Sequence, residues 1–184
     1  MQMRIFFYFF LFLTFYGCAS QKVNVIEGYD YKEKDNQTSY FVLPYGSVLI
    51  QGKWNKDHYN SVSLQQFFIN ADSIKIAVAF NGFKNYEFNL KGEKKGLEFT
   101  KAYYEWDTKY FKEKYGLNSE ILESDSINNY MIYKVYGKSN QATVETYYLL
   151  GEKNGNVSNI SIEWTDKWNE KLKIDFLKDL YTKK

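Results

Sequence analysis

LEFTKAYYEWDTKYFKEKY, residues 97–115, is where the period of the chain changes. Phe99, Tyr103, Trp106 and Tyr110 recur at intervals of four, three and four, with Ala102 and Phe111 beside them. Those intervals put the rings on one face of an α-helix. Lys101, Glu105, Lys109 and Lys112 fall on the other side. Gly116 stands where a left-handed glycine ends a helix, and Lys112 and Lys114 occupy the last turn, where cations favour the helix dipole. The spacing predicts a helix over 97–115, its aromatic stripe turned to a core.

On either side of this helix the pattern is that of strands. Phe67, Phe68 and Ile69 lead through Asn70-Ala71-Asp72 into SIKIAVAF, residues 73–80, where Ile74, Ile76 and Val78 alternate with Ser73, Lys75 and Ala77. That is a hairpin with one inward face, closed by the turn pair Asn81-Gly82. Earlier, 40–44 and 47–51 read as short strands around Pro44 and Gly46, followed by Trp54 and a polar loop, NKDHYN. Residues 86–90 read as loop or edge strand. After the helix, 119–123 reads as a short strand and 129–136 alternates, and 143–150 and 157–164 flank EKNGN to make a second hairpin, with Ile160, Ile162 and Trp164 on one face. A closing helix is predicted over 167–181, with Trp168, Leu172, Phe176, Leu177 and Leu180 on one face and Asp166 as its cap. The expected class is α+β: an antiparallel β-sheet flanked by a long central helix and a C-terminal helix.

The start of the chain is of another kind. Residues 5–16, IFFYFFLFLTFY, are apolar but for Thr14, follow the lone cation Arg4, and end in Gly17-Cys18. A spanning helix needs roughly 20 apolar residues; this shorter run fits the core of a signal peptide. Gly17 and Cys18 match the last two places of a bacterial lipobox, Leu-Ala/Ser-Gly/Ala-Cys. Phe15 and Tyr16 depart from its first two, which bears on processing efficiency. The expected organisation is a lipoprotein signal peptide at 1–17, an acylated Cys18 with a tether over 18–39, and one domain over 40–184. Multiple acyl chains anchor firmly where one chain binds marginally. Ala19 occupies the place of a retention aspartate, and no acidic cluster follows Cys18. The expected address is therefore the periplasmic face of a bacterial outer membrane.

Composition narrows the function classes. Cys18 is the only cysteine, so its acylation leaves neither disulfide nor catalytic thiol. The 24 Lys and Arg nearly balance the 22 Asp and Glu, which gives no support to a nucleic-acid binder. Every arginine but Arg4 is absent, and with it the residue suited to bidentate phosphate capture. The one histidine, His58, cannot build a His-rich zinc set, and no metal or cofactor is expected. The glycines are scattered singly, without a phosphate loop. Ser61 and Ser63 lie near His58 but without a nucleophile elbow. Glu105 and Asp107, two apart on a helix, point to different faces, and Glu120, Glu123 and Asp125 read as a solvated acidic loop.

The Pro44 and Gly46 stretch, FFINADSIKIAV at 67–78, the helix at 97–115 and the strand-to-helix close from Tyr147 to Tyr181 together resemble the PsbP-like fold, an antiparallel sheet between helices whose bacterial members include lipoproteins. The resemblance implies a protein that binds or helps assemble another protein. The fold has no shared catalytic constellation, so no site residue follows from it.

What is left is an excess of aromatics, 20% of the chain with 18 tyrosines, and no catalytic set. The expectation is a non-enzymatic, membrane-anchored protein that binds an envelope partner through Tyr45, Trp54, His58 and Tyr59, or through Tyr103 and Tyr104 where the helix is uncovered. A toxin-neutralising immunity protein is one form of this. The alternatives are a small-molecule or lipid binder with an aromatic-lined cavity, and a hydrolase built on paired carboxylates.

Overall fold

A strand with both faces buried needs a layer on each side, and residues 130–135 form such a strand. In the computed structural model, which describes residues 24–183, Tyr130 and Ile132 belong to one apolar cluster, and Met131, Tyr133 and Val135 to another. Strict alternation sends successive side chains to opposite faces, so this strand divides the molecule. The signal segment, Cys18 and the first part of the tether lie outside the described residues.

The chain runs β1 (Ile26–Lys32), β2 (Gln37–Leu43), β3 (Gly46–Gln51), β4 (Trp54–Asn60), β5 (Gln65–Asn70), β6 (Lys75–Gly82), α1 (Gly96–Tyr115), β7 (Asn118–Asp125), β8 (Tyr130–Ser139), β9 (Ala142–Lys153), β10 (Asn156–Glu163) and α2 (Glu170–Thr182). A seven-stranded sheet has the order β4-β5-β6-β10-β9-β8-β7, and a three-stranded sheet the order β1-β2-β3. Every strand pairing is antiparallel. The small sheet and α2 cover one face of the large one, meeting it through Tyr40, Ile50, Ile76, Leu149, Ile160 and Leu177. The long helix α1 covers the other face through Phe99 and Tyr103. The expected α+β class, an antiparallel sheet with a long central helix and a C-terminal helix, is the one found.

Both predicted hairpins are present. In the second, Asn154 (φ 54°) and Gly155 (φ 84°) are the two central residues between Lys153 and Asn156. Two consecutive positive φ values make the tight turn whose twist matches the flanking strands. In the first, the Asn70 side chain accepts from Asp72 N and Ile74 N and holds the turn. β6 is buried on both sides, so Ala77 and Ala79 are inside along with Ile76 and Val78.

Glu152 explains how α1 is seated. It is buried, and its carboxylate accepts from Gly155 N at 2.6 Å and from Gly96 N, the first residue of the helix. One anion thus ties the β9–β10 turn to a helix N-terminus, where the dipole favours negative charge. Glu152→Gln should cost about 1–2 kcal/mol, because a neutral amide has one acceptor where the carboxylate has two. An unchanged urea midpoint in that variant would show that Glu152 does not seat the helix.

Several expectations are corrected. Residues 26–39, expected as part of a tether over 18–39, belong to the fold: β1 pairs along its length with β2, and Tyr29 packs on the core. Its charged patch, Lys32–Asp35, is the connection between those strands. The domain therefore begins by Ile26 and not at position 40. NKDHYN is a strand: it belongs to the edge strand β4, paired to β5 with a register shift between Lys56 and Tyr59. Every β4 residue after Trp54 is exposed, so no buried face marks it in the sequence, and its charges guard the sheet edge. Residues 83–89 form two short 3-10 turns. α2 starts at Glu170, capped by the Asn169 side chain, which accepts from Leu172 N at 2.9 Å. Its buried face is Lys173, Leu177, Leu180 and Tyr181, so Leu172 turns to solvent. Trp164 lies past the end of β10 and is exposed. The acidic loop is part of β7, where Glu123 pairs with Lys178 at 2.7 Å and Asp125 accepts from Ile127 N and Asn128 N.

Candidate functional site

Two surface features of this frame are open to solvent. The first is a cleft of about 450 Å³ between the β2–β3 turn and the C-terminal end of α2. Pro44, Tyr45 and Leu49 form one wall. Phe80 and Ile160 of the large sheet form the floor, and Tyr181 lies opposite. Gly46 permits the close approach of the turn, since a Cβ there would run into the Phe80 ring. Tyr181 is fixed by donating to Asn128 O at 3.0 Å, and Lys153 Nζ lies 4.5 Å from the centre of its ring. Lys153 and Lys183 are both in the lining, which contains no carboxylate among the described residues. Lys183 is paired with Asp179 at 2.6 Å.

The second surface is the outer side of α1. Phe99 and Tyr103 are buried, but the stripe emerges along the helix: Trp106 is 37%, Tyr110 43% and Tyr115 40% exposed. Trp106 leans on Tyr86 and Phe88 and donates its indole N–H to Glu87. Tyr110 meets Tyr115 edge to face at 5.9 Å, and Lys114 Nζ donates to the Tyr110 hydroxyl at 2.7 Å. That ammonium draws the Tyr110 hydroxyl below its ordinary pKa.

The residues expected at a contact surface divide. Tyr45 is half-buried at the cleft. His58 and Tyr59 are exposed on β4; the imidazole stacks on Phe67 at 4.2 Å, with Asp57 3.1 Å from Nδ1. Trp54 is a correction: it is 2% exposed, donates its indole N–H to Gln51 O at 2.9 Å, and packs against Trp168 and Phe176. Tyr103 is also a correction: it is buried, and its hydroxyl accepts from Asn159 Nδ2 at 2.9 Å. Tyr104 is half-buried, set edge-on to Tyr133, with its hydroxyl bonded to Ser119 Oγ at 3.1 Å. Neither Trp54 nor Tyr103 is available to a partner. Trp106 and Tyr110, expected on the core side of the helix, are partly exposed, and nothing local in the sequence points to Tyr115 or Leu49.

Under α1 lies a polar layer. Asp107 Oδ2 accepts from the Tyr133 hydroxyl at 2.6 Å, and Tyr133 stacks on Tyr148 at 5.1 Å. Burial pushes the Asp107 carboxyl up to about 6, an effect the Tyr133 hydrogen bond only partly offsets. Asn159 Oδ1 is buried without a hydrogen-bond partner. Glu105 and Asp107 do face apart, the first exposed and the second half-buried. The signal was present: Asp107 follows Tyr103 by four, on the buried side of the helix.

Among the described residues no group of three or more His, Cys, Asp or Glu is placed to hold a metal ion, and no helix is long and apolar enough to cross a membrane. No family model matches the chain, and no curated protein matches it. Among solved structures, the chain is similar to the solution structure of cyanobacterial PsbP (CyanoP) from Synechocystis sp. PCC 6803, at 8% identity and a TM-score of 0.48, over 88% of this chain and 93% of that one.

Proposed function

We propose that this chain is a lipid-anchored protein of a bacterial envelope, held at the outer membrane through an acylated Cys18, that binds a protein partner and performs no chemistry on it. The observation that carries the reading is the emergence of Trp106, Tyr110 and Tyr115 on the uncovered side of α1, above a core that is filled on both faces of the sheet. Exposed Tyr and Trp rings with rigid neighbours are the residue types that anchor protein interfaces. Lys114 donates to the Tyr110 hydroxyl and Trp106 donates to Glu87, so charges of both signs border the rings.

The test is crosslinked capture of the full chain from envelope membranes, read by mass spectrometry, beside Cys18→Ala and a Tyr110→Ala/Tyr115→Ala double variant. One stoichiometric envelope protein should be recovered, and recovery should drop roughly tenfold or more in the double variant. A partner retained at the original level by that variant would remove α1 as the contact surface. Unchanged recovery with Cys18→Ala would remove anchoring from the account.

A further inference from the structure

We infer that the cleft between the β2–β3 turn and the end of α2 takes an anionic phospholipid from the bilayer that holds the chain's own anchor. The inference rests on the anchoring part of the proposed function and is independent of the α1 surface.

Three observations meet at this end of the molecule. The first is chemical. The cleft floor is apolar, formed by Phe80 and Ile160, with Leu49 exposed on its wall. Its rim is polar, with Asn154, Asn156 and Ser158. Among the described residues its two charged lining residues are lysines, and no acid lines it. Lys153, whose ammonium lies over the Tyr181 ring, is the cation turned to the cleft, since Lys183 is held by Asp179. An apolar floor under a cationic, amide-rich rim fits a molecule with an acyl chain and an anionic head.

The second is the path of the chain. Ile26 at the start of β1 pairs with Leu43 at the end of β2, and Leu43 directly precedes Pro44, which lines the cleft. Ile26 and Cys18 are eight positions apart. An extended chain covers at most about 3.5 Å per residue, so that separation is about 28 Å or less. An acylated Cys18 therefore holds this end of the domain, and the cleft with it, close to the lipid surface.

The third is the surface around the exit point. Val25, Ile26 and Leu43 are 53%, 60% and 46% exposed, an apolar edge beside the cleft mouth. An exposed apolar edge of this kind suits contact with a membrane surface. Cleft, tether and apolar edge thus share one end of the domain, and the volume of about 450 Å³ is in the range of small-molecule sites. It accommodates part of a lipid, with the remainder left in the bilayer.

The experiment uses the full chain purified from membranes in a mild detergent. Native mass spectrometry reads the lipid bound per chain, and intact mass reads the acylation of Cys18. Micelles doped with phosphatidylglycerol or with phosphatidylcholine supply the probes. Lys153→Glu and Leu49→Asp are the cleft variants, with near-ultraviolet circular dichroism to confirm that each is folded. One phosphatidylglycerol per chain is expected, with phosphatidylcholine at least tenfold weaker and Lys153→Glu at least tenfold weaker for phosphatidylglycerol. The Tyr110→Ala/Tyr115→Ala variant should bind lipid as the original does. An empty cleft on an acylated chain would overturn the lipid assignment alone. A bound lipid on a chain with free Cys18 would overturn the anchoring and leave the cleft assignment standing. Equal binding of both lipids with no effect of Lys153→Glu, or an acidic peptide found in the cleft in place of lipid, would overturn the inference.

Discussion

Trp54→Ala should cost about 3–5 kcal/mol of stability, in the range of large-to-small substitution of buried aromatics, and should leave partner capture per folded molecule unchanged. The side chain is 2% exposed and sits at the junction of the two sheets. Its backbone N–H donates to Thr38 Oγ1 at 3.0 Å and its carbonyl accepts from the Tyr29 hydroxyl at 2.6 Å, so β1 and β2 both close on this residue. On the other side its ring meets Trp168 and Phe176, the aromatics that bring in α2. Removing the indole empties a space that three layers share, and rigid sheets collapse little into such a space. Urea unfolding gives the loss; capture at a temperature where the variant remains folded gives the rest. Lost capture by a fully folded variant would put Trp54 at the interface and contradict its burial.

The second large effect runs in the opposite direction. Asp107→Asn should stabilise the protein by about 1–3 kcal/mol at pH 7.5 and do little below pH 4. The sign follows from the carboxyl being raised in the folded state, from 3.8 to about 6. A proton held more tightly in the folded chain adds stability at low pH. That stability is lost as pH rises from about 4 through about 6, so near neutrality the ionised Asp107 opposes folding. The difference of about two units corresponds to about 3 kcal/mol at most. The groups that face it are phenols, those of Tyr133, Tyr103 and Tyr148, and no cation is among the causes of the shift. Asparagine keeps an acceptor for the Tyr133 hydroxyl and has no charge to desolvate. Other carboxylates act the other way: hydrogen bonds hold Asp125 and Glu170 below their usual range, so their contributions are lost as pH falls. The comparison must therefore be the difference between the original chain and the variant, measured by urea unfolding at pH 4 and 7.5. A variant less stable at pH 7.5, with the same pH slope as the original, would show that Asp107 does not titrate as its burial requires.

That buried carboxylate also shows where sequence reading ends. The period of residues 97–115 identified α1 and its start within one residue, because a buried helix face repeats at 3.6 and little else does. The same period that brought Tyr103 inside brought Asp107 inside, yet a charged residue on a mixed helix reads as solvated until its neighbours are known. Trp54 and Tyr103 were expected at a contact surface for the reciprocal reason. An aromatic next to a polar loop looks exposed, and only the approach of β1, β2 and α2 covers Trp54. Asp166 looked like a cap, and Asn169 is one, because the stretch between them carries no pattern that places the first turn.

By itself the sequence determined the elements whose evidence is local. These are the two turn-marked hairpins, the two helices between and after the strands, and the α+β class. Each rests on residues close in the chain, where periodicity, turn chemistry and charge act over one or two turns. Only the tertiary structure decided what depends on distant partners. Strands β1 and β4 expose most of their side chains and exist because β2 and β5 offer them hydrogen bonds. The cleft exists because a turn at Pro44, a strand at Ile160 and a helix end at Tyr181 converge from well-separated parts of the chain. The physical reason is range: a buried face writes its period into neighbouring residues, whereas an edge strand or a cleft is made by residues with no sequence relation to one another.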